Sequence, residues 1–438
     1  MRRIACLILT LILLLPLLAS AEEELTARYV FDLTQAGDYG AVYALADDGL
    51  RKAVSEERLR SIFTALTDAF GQVTGFGEEK TSWSAPYRIA SLPVHYEKAS
   101  IALHITWQGN QLSGIHYSML DEPPVYQEKT PVGILEESIQ VGDPALEGYM
   151  TLPSNASVPL PAVVLLHGSG PNDRDETIRN TKMFRDLAYG MAQLGIAAVR
   201  YDKRTYVYGS KYTAEDMQHF TVQEETIDDA VAAARLLCTD SRIDPERIYL
   251  IGHSMGAMLA PRIAEENPGL FAGIVMLSGT PKTLADIIIS QNQAVVDAMS
   301  PLEKILGNMQ MAGLRQSWQN VLNGTVEEAK GKMLFSQPAY YFWEMAQYDT
   351  AEILKNLDIP SLIINGGSDF QIIDADGIDA WRALELPESV QLSYYPELNH
   401  LLMNPQAPES VRGTVQEYDI PCHVAEEVVD EITAFILK

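Results

Sequence analysis

Cysteine is scarce here: Cys6, Cys238 and Cys422 are the only three in 438 residues. That excludes a scaffold built on disulfides. Basic residues are also short, 32 Lys and Arg against 59 Asp and Glu, a net charge of −27. Such a surface repels nucleic acid and anionic membranes, and no basic patch with interleaved aromatics interrupts it. No His, Cys and Asp set has metal-ligand spacing, so neither a metal nor a cofactor is expected. Long apolar runs are missing too, with one exception at Ile4–Leu18, where fifteen positions fall short of the ~20 that a membrane span needs. Arg2 and Arg3 precede that run and Ala19-Ser20-Ala21 follows it. The segment therefore reads as a cleaved secretory signal peptide over 1–21, with an uncleaved N-terminal anchor as the alternative. Its removal leaves 30 basic residues against 59 acidic ones. Cys238 and Cys422 then remain, and a bridge between them stays open.

What is there is a globular composition, 47% hydrophobic and 21% charged, organised around residues 247–260. Ile248–Ile251 reads as a short buried strand. It runs into Gly252-His253-Ser254-Met255-Gly256, and a helical pattern follows. A serine on so tight a turn has strained backbone angles, and side chains two residues to either side would collide. Strand, Gly-x-Ser-x-Gly and helix together make a nucleophile elbow that presents the Ser254 hydroxyl.

Residues 22–120 read as a small α+β domain. Helix-period patterns over 25–36, 41–46 and 55–70 give way to alternating strands at 101–107 and 114–119. His95, His104 and His116 fall in strand-like runs without chemical spacing. A proline-rich, charged linker spans 121–132. From 133 to 438 the pattern is a strand pair (135–141, 146–152) and then strand–helix alternation. The strands are Ala162–Leu166, Ile196–Tyr201, Ile248–Ile251, Gly273–Ser278, Leu362–Asn365 and Val390–Tyr395. Helices are expected at 181–194, 223–237, 378–386 and 424–437. Continuous apolar strands of this kind predict a mostly parallel sheet with helices on both faces. Residues 281–350 carry only helical patterns and read as a cap, whose Met299, Met309, Met311 and Met345 either pack or line a pocket. Pro261 lies inside the helix after the elbow, where it is expected to kink or weaken it.

A serine hydroxyl needs a general base, and the base needs an orienting group. On such a sheet they follow in the chain order serine, acid, histidine. After residue 361 only His400 and His423 remain, and His400 follows the last strand directly. Asp369, in Gly366-Gly-Ser-Asp369, follows the preceding strand; alone it would be an ordinary turn residue. His253 is adjacent to Ser254 and reads as structural. Two backbone N–H groups, of Met255 and of Ser169 in His167-Gly-Ser-Gly170, are the candidates for stabilising an oxyanion. Asp202, Lys203 and Arg204, like Asp173, Arg174 and Asp175, read as loop-stapling ion pairs.

From about residue 133 onward the chain resembles the α/β-hydrolase superfamily. Within it, the chain is similar to secreted bacterial esterases of the dienelactone-hydrolase-like and serine-aminopeptidase-like group. The resemblance is carried by residues 167–175, Arg200-Tyr-Asp-Lys-Arg204, Gly252–Gly256, Gly366–Gln371 and Asn399-His400. It implies Ser254, Asp369 and His400 as a triad and carboxylester hydrolysis as the activity, and a proline at position 261 is familiar in such relatives. Ala257 stands where relatives often have a second glycine, and Thr205-Tyr-Val-Tyr208 where they often have glycine, which would bring bulky aromatics near the site. The first domain looks like a small uncharacterised domain preceding some exported hydrolases.

The expectation is a secreted serine hydrolase acting on a small-molecule ester. A peptidase would use the same triad, with Glu344 or Asp349 to bind a free amino terminus, and acyl transfer is a further alternative. A binding protein that kept the fold would be expected to have lost a triad member.

Overall fold

The computed structural model describes residues 26–438 apart from 78, 85–86, 97–99, 121–129, 157–158, 336 and 410. The expected signal peptide and residues 121–129 of the expected linker lie outside the described residues. The chain divides into two compact units, Met1–Gln127 and Glu128–Lys438.

In the first unit, helices Ala27–Gln35, Tyr39–Leu45, Asp48–Ala53 and Glu56–Phe70 start at Thr26, Asp38, Asp47 and Ser55. Each of these side chains accepts a hydrogen bond from a first-turn N–H. Five strands follow: β1 (Val73–Phe76), β2 (Lys80–Ser84), β3 (Tyr87–Tyr96), β4 (Ser100–Gln108) and β5 (Gln111–Leu120). They form an antiparallel sheet in the order β1-β3-β4-β5, with β2 also on β3. The sequence reading missed the first three, because Pro93 and two glycines punctuate that stretch. The alternation shows only in burial, at Ala90, Leu92, Val94 and Tyr96. His104 sits between the hydroxyls of Ser91 and Ser118, at 2.8 and 3.1 Å, and His95 meets Ser100. These are sheet-face hydrogen bonds.

The second unit is built on eight strands: β6 (Ile134–Val141), β7 (Leu146–Pro153), β8 (Leu160–Leu166), β9 (Ala197–Tyr201), β10 (Ile243–His253), β11 (Gly273–Leu277), β12 (Ser361–Gly366) and β13 (Val390–Tyr395). Their order is β13-β12-β11-β10-β8-β9-β7-β6. Only β7 runs against its neighbours. Every residue of β8 and of β11 is buried, as strands covered on both faces require. Helices Asp228–Thr239 and Met255–Glu266 pack one face, Met183–Gln193 and Glu426–Ile436 the other. This is the α/β-hydrolase fold.

The helix after the elbow continues through Pro261, packed by Leu259, Ala260 and Ile263 in the core. Two expectations need correction. The expected helix 223–237 opens with a π turn, Gln223–Ile227, before the α-helix proper. The cap is not wholly helical: between its helices Leu284–Asp297, Pro301–Leu322, Val326–Lys330 and Ala339–Met345, Met333–Leu334 pairs with Gln337–Pro338. Met311 and Met345 are buried, while Met299 and Met309 face solvent. Cys238 and Cys422 are free thiols. Among the described residues no helix is long and apolar enough to cross a membrane.

Candidate active site

Ser254 follows β10 directly and caps the start of the helix Met255–Glu266, with φ 53° and ψ −115°. A non-glycine residue held there costs on the order of 1–3 kcal/mol, so its surroundings must enforce it. Its N–H donates to Leu277 O at 2.9 Å, and its carbonyl accepts from Met258 N at 3.2 Å. The glycines have a steric reason. A Cβ on Gly256 would lie 2.2 Å from Leu166 O, and one on Gly252 would lie 2.3 Å from Gly256 O.

Asp369 follows β12 and His400 follows β13. His400 Nδ1–H donates to Asp369 Oδ2 at 2.7 Å, with both residues buried. Asp369 Oδ1 accepts from the N–H groups of Gln371 and Ile372, at 2.7 and 2.8 Å, so the carboxylate is fixed on both oxygens. With its proton committed at Nδ1, the neutral ring keeps Nε2 free as an acceptor, the tautomer a general base requires. The His400 carbonyl accepts from Ser278 Oγ at 2.8 Å and from His253 Nε2–H at 3.0 Å. The rings of His253 and His400 are 4.8 Å apart. His423 stands elsewhere, its Nδ1 3.1 Å from Asp186.

The sequence reading overlooked Ser278, Glu176, Glu417 and the role of Asn399. Asn399 Oδ1 accepts from Leu401 N and Met403 N, while its amide donates to buried Glu417 at 2.9 Å, which shapes the base loop. Glu176 lay one residue past the end of the 167–175 motif, and only its burial marks it out.

Ser169 and Ser254 both face a chamber of about 730 Å³. Its apolar wall comes from Met217, Phe220, Met258, Leu284, Ile287 and Phe342. The stretch 205–208 does border the chamber, but neither of its tyrosines lines it. Of the four, Thr205 reaches the chamber, Tyr206 is exposed, and Tyr208 donates to Ala145 O at 2.9 Å.

The loop charges are paired. Arg174 grips Asp202 with two bonds of 2.9 and 2.7 Å, and Arg204 holds Asp229. Lys203 Nζ donates to Gly168 O and meets Glu225, both at 2.8 Å. Arg200 is buried between Asp175, Glu136 and Thr151. Two acids considered for binding an amine are engaged as well: Glu344 pairs with Arg262 at 2.9 Å, and Asp349 caps the helix Thr350–Asn356. Among the described residues, no group of three or more His, Cys, Asp or Glu is placed to hold a metal.

A sequence-family profile described as serine aminopeptidase, S33, matches residues 158–406, more than half of the chain. The chain belongs to that family. This S33 member also matches, over residues 27–114, a profile described as a protein of unknown function, DUF3887. It is 32% identical over 408 residues to esterase EstD of Thermotoga maritima, covering 90% of each chain. Its structure is similar to Est1E from Butyrivibrio proteoclasticus, with a TM-score of 0.43, 13% identity, and coverage of 68% of this chain and 97% of that one. It is also similar to a proline iminopeptidase of Mycobacterium smegmatis, with a TM-score of 0.42, 15% identity, and coverage of 69% and 98%. The S33 chain is an enzyme of the esterase and serine-hydrolase kind within the α/β hydrolases.

His167, at the end of β8, supplies a pH test. Its Nε2–H donates to Asp173 O at 3.0 Å, and it packs on Phe184 and Tyr201. Burial above all, with Lys203 nearby, pushes its pKa down to about 4 against the pull of Glu176. Below an unfolded value of ~6.5 the unfolded chain takes a proton that the folded chain refuses until about pH 4. This stability is fully present above pH ~6.5 and falls by about 3 kcal/mol as pH drops to 4. Urea unfolding should show wild type losing that much more than His167→Asn between pH 7 and pH 4. Equal losses would disprove a buried neutral His167.

Proposed function

We propose that this hydrolase cleaves carboxylic esters through an acyl-enzyme. Three observations support this reading: the 2.7 Å bond from His400 to an Asp369 fixed on both oxygens, the 4.8 Å between the rings of His400 and of His253, the residue before Ser254, and a strained Ser254 that lines an apolar chamber. His400 Nε2 takes the Ser254 proton as Oγ attacks the ester carbonyl. The backbone N–H groups of Met255 and Ser169 receive the oxyanion. His400 passes its proton to the departing alkoxide, leaving an alcohol and an acyl-serine. Water, deprotonated by the same ring, then releases the acid and restores Ser254. A chamber of about 730 Å³ suits esters with small or medium acyl chains.

Ester cleavage is favoured over peptide cleavage by the chamber's charges. Among the described residues that line it, Glu225 is the one acid, and it is already held by Lys203 and Tyr341 rather than left free for a substrate amine. Chromogenic esters of increasing acyl length should be turned over, and aminoacyl-anilides should not; the reverse ranking would make the enzyme a peptidase. Ser254→Ala and His400→Ala should each cut ester turnover by at least ~10⁴-fold, and His423→Ala should leave it near wild type. An active Ser254→Ala would refute the serine mechanism.

All the residues named lie in the second unit. A shortened chain beginning at Thr130 should therefore hydrolyse a small soluble ester near the full rate. If it folds but retains under a tenth of the rate, about 1.4 kcal/mol of barrier, the first unit helps to form the site. Arg2-Arg3, the apolar run to Leu18 and Ala19-Ser20-Ala21 support export. Mass spectrometry of the exported protein should find Glu22 at its N-terminus, and a cytoplasmic chain that keeps residues 1–21 would refute export.

A further inference from the structure

Beneath Ser254 lies a pair of buried ionisable groups that the reaction does not consume. Glu176 is 1% exposed and sits at φ 47°, a left-handed conformation that favours glycine. Its Oε1 accepts from Gly168 N–H at 2.7 Å, one residue before Ser169. Its Oε2 lies 3.1 Å from His253 Nδ1, a buried ion-pair contact rather than a well-aligned hydrogen bond. His253, 2% exposed, donates from Nε2 to the carbonyl of His400 at 3.0 Å.

A carbonyl can only accept, so His253 Nε2 carries a proton. Nδ1 then faces a carboxylate and needs a second proton to avoid repulsion, which makes the ring an imidazolium. Burial alone favours the neutral ring, but Glu176 outweighs it and the pKa of His253 moves up. Burial likewise opposes the Glu176 carboxylate; His253 and the Gly168 bond outweigh that, and its pKa moves down. Removing one partner of such a pair leaves a buried charge, which is why these side chains hold their places.

We propose that the Glu176–His253 pair is a positioning device that spans the site, holding the Ser169 loop with one end and the His400 loop with the other. The inference rests on the serine mechanism above. The two loops leave different strands, β8 and β13, at separated positions in the sheet. Among the described residues, this pair links both through side chains beneath the nucleophile. It orients an oxyanion donor and the base, whose alignment matters most in the transition state, so its loss should lower kcat and leave KM little changed.

The test uses the full chain with a soluble chromogenic ester and a boronic acid that mimics the tetrahedral adduct. Glu176→Leu and His253→Phe should each lower kcat at least tenfold with KM within threefold, and should weaken boronate binding by a similar factor. Glu176→Gln keeps an acceptor for Gly168 and offers a donor to His253 Nδ1, and it should return kcat to within threefold of wild type. Circular dichroism and the thermal midpoint establish folding; if the leucine variant does not fold, His253→Phe carries the same decision. Folded variants that lose thermal stability but keep kcat and boronate affinity would overturn the proposal and leave the pair merely structural. A Ser254→Ala enzyme that still turned over ester would instead sink the mechanism beneath it, so the two failures are distinguishable.

Discussion

One steric constraint sets the position of everything around Ser254. The helix Met255–Glu266 begins so close to the end of β8 that Gly256 admits no side chain against Leu166 O. That approach drives Ser254 into its strained conformation and aims the first-turn N–H of Met255 out of the helix, where it has no intrahelical partner. It also brings β8 and its Ser169 loop beside the nucleophile, since β8 and β10 pair directly over Ile248–Gly252. The strain is held by ordinary means: buried strands on either side and an N–H bond from Ser254 to β11.

A second layer of order comes from charge. This acidic protein buries Arg200, Lys203 and Arg204 in sequence, each against carboxylates from other elements. Isolated, any one of them would cost several kcal/mol; paired, they fix a loop that lies against the Ser169 turn. Lys203 is the direct link, because it binds the Gly168 carbonyl whose own N–H belongs to Glu176. Both polar groups of Gly168 are thus held by buried ionisable side chains.

Much of this was legible in the sequence, for definable reasons. Tight turns leave glycines, buried strands leave apolar runs, and chain order ranks Asp369 and His400 ahead of their neighbours. Continuous apolar strands such as Ala162–Leu166 gave the sheet of the second unit. The strands over 73–96 escaped because their alternation is broken by Pro93 and only the fold shows which side is inside. Glu176 and Ser278 escaped for another reason. Their partners are main-chain atoms, Gly168 N eight residues away for Glu176 and His400 O far along the chain for Ser278, and no side-chain pattern in the sequence records a bond to main chain. The π turn was equally hidden, since it opens the helix and no earlier repeat stands before it to reveal the shift of one residue.

That π turn has a mechanical consequence for the cap. It places Glu225 where Tyr341, on the cap helix Ala339–Met345, donates to it at 2.5 Å inside the protein, while Tyr341 also touches Met255 Sδ at 3.4 Å. Lifting the cap would strip a carboxylate of a charge-assisted partner in a dry setting, a bond roughly twice as strong as a neutral one. The roof over the chamber is therefore fastened to the floor at its inner edge. The shape of the chamber is thus braced from within, by a bond that needs no bound molecule to form.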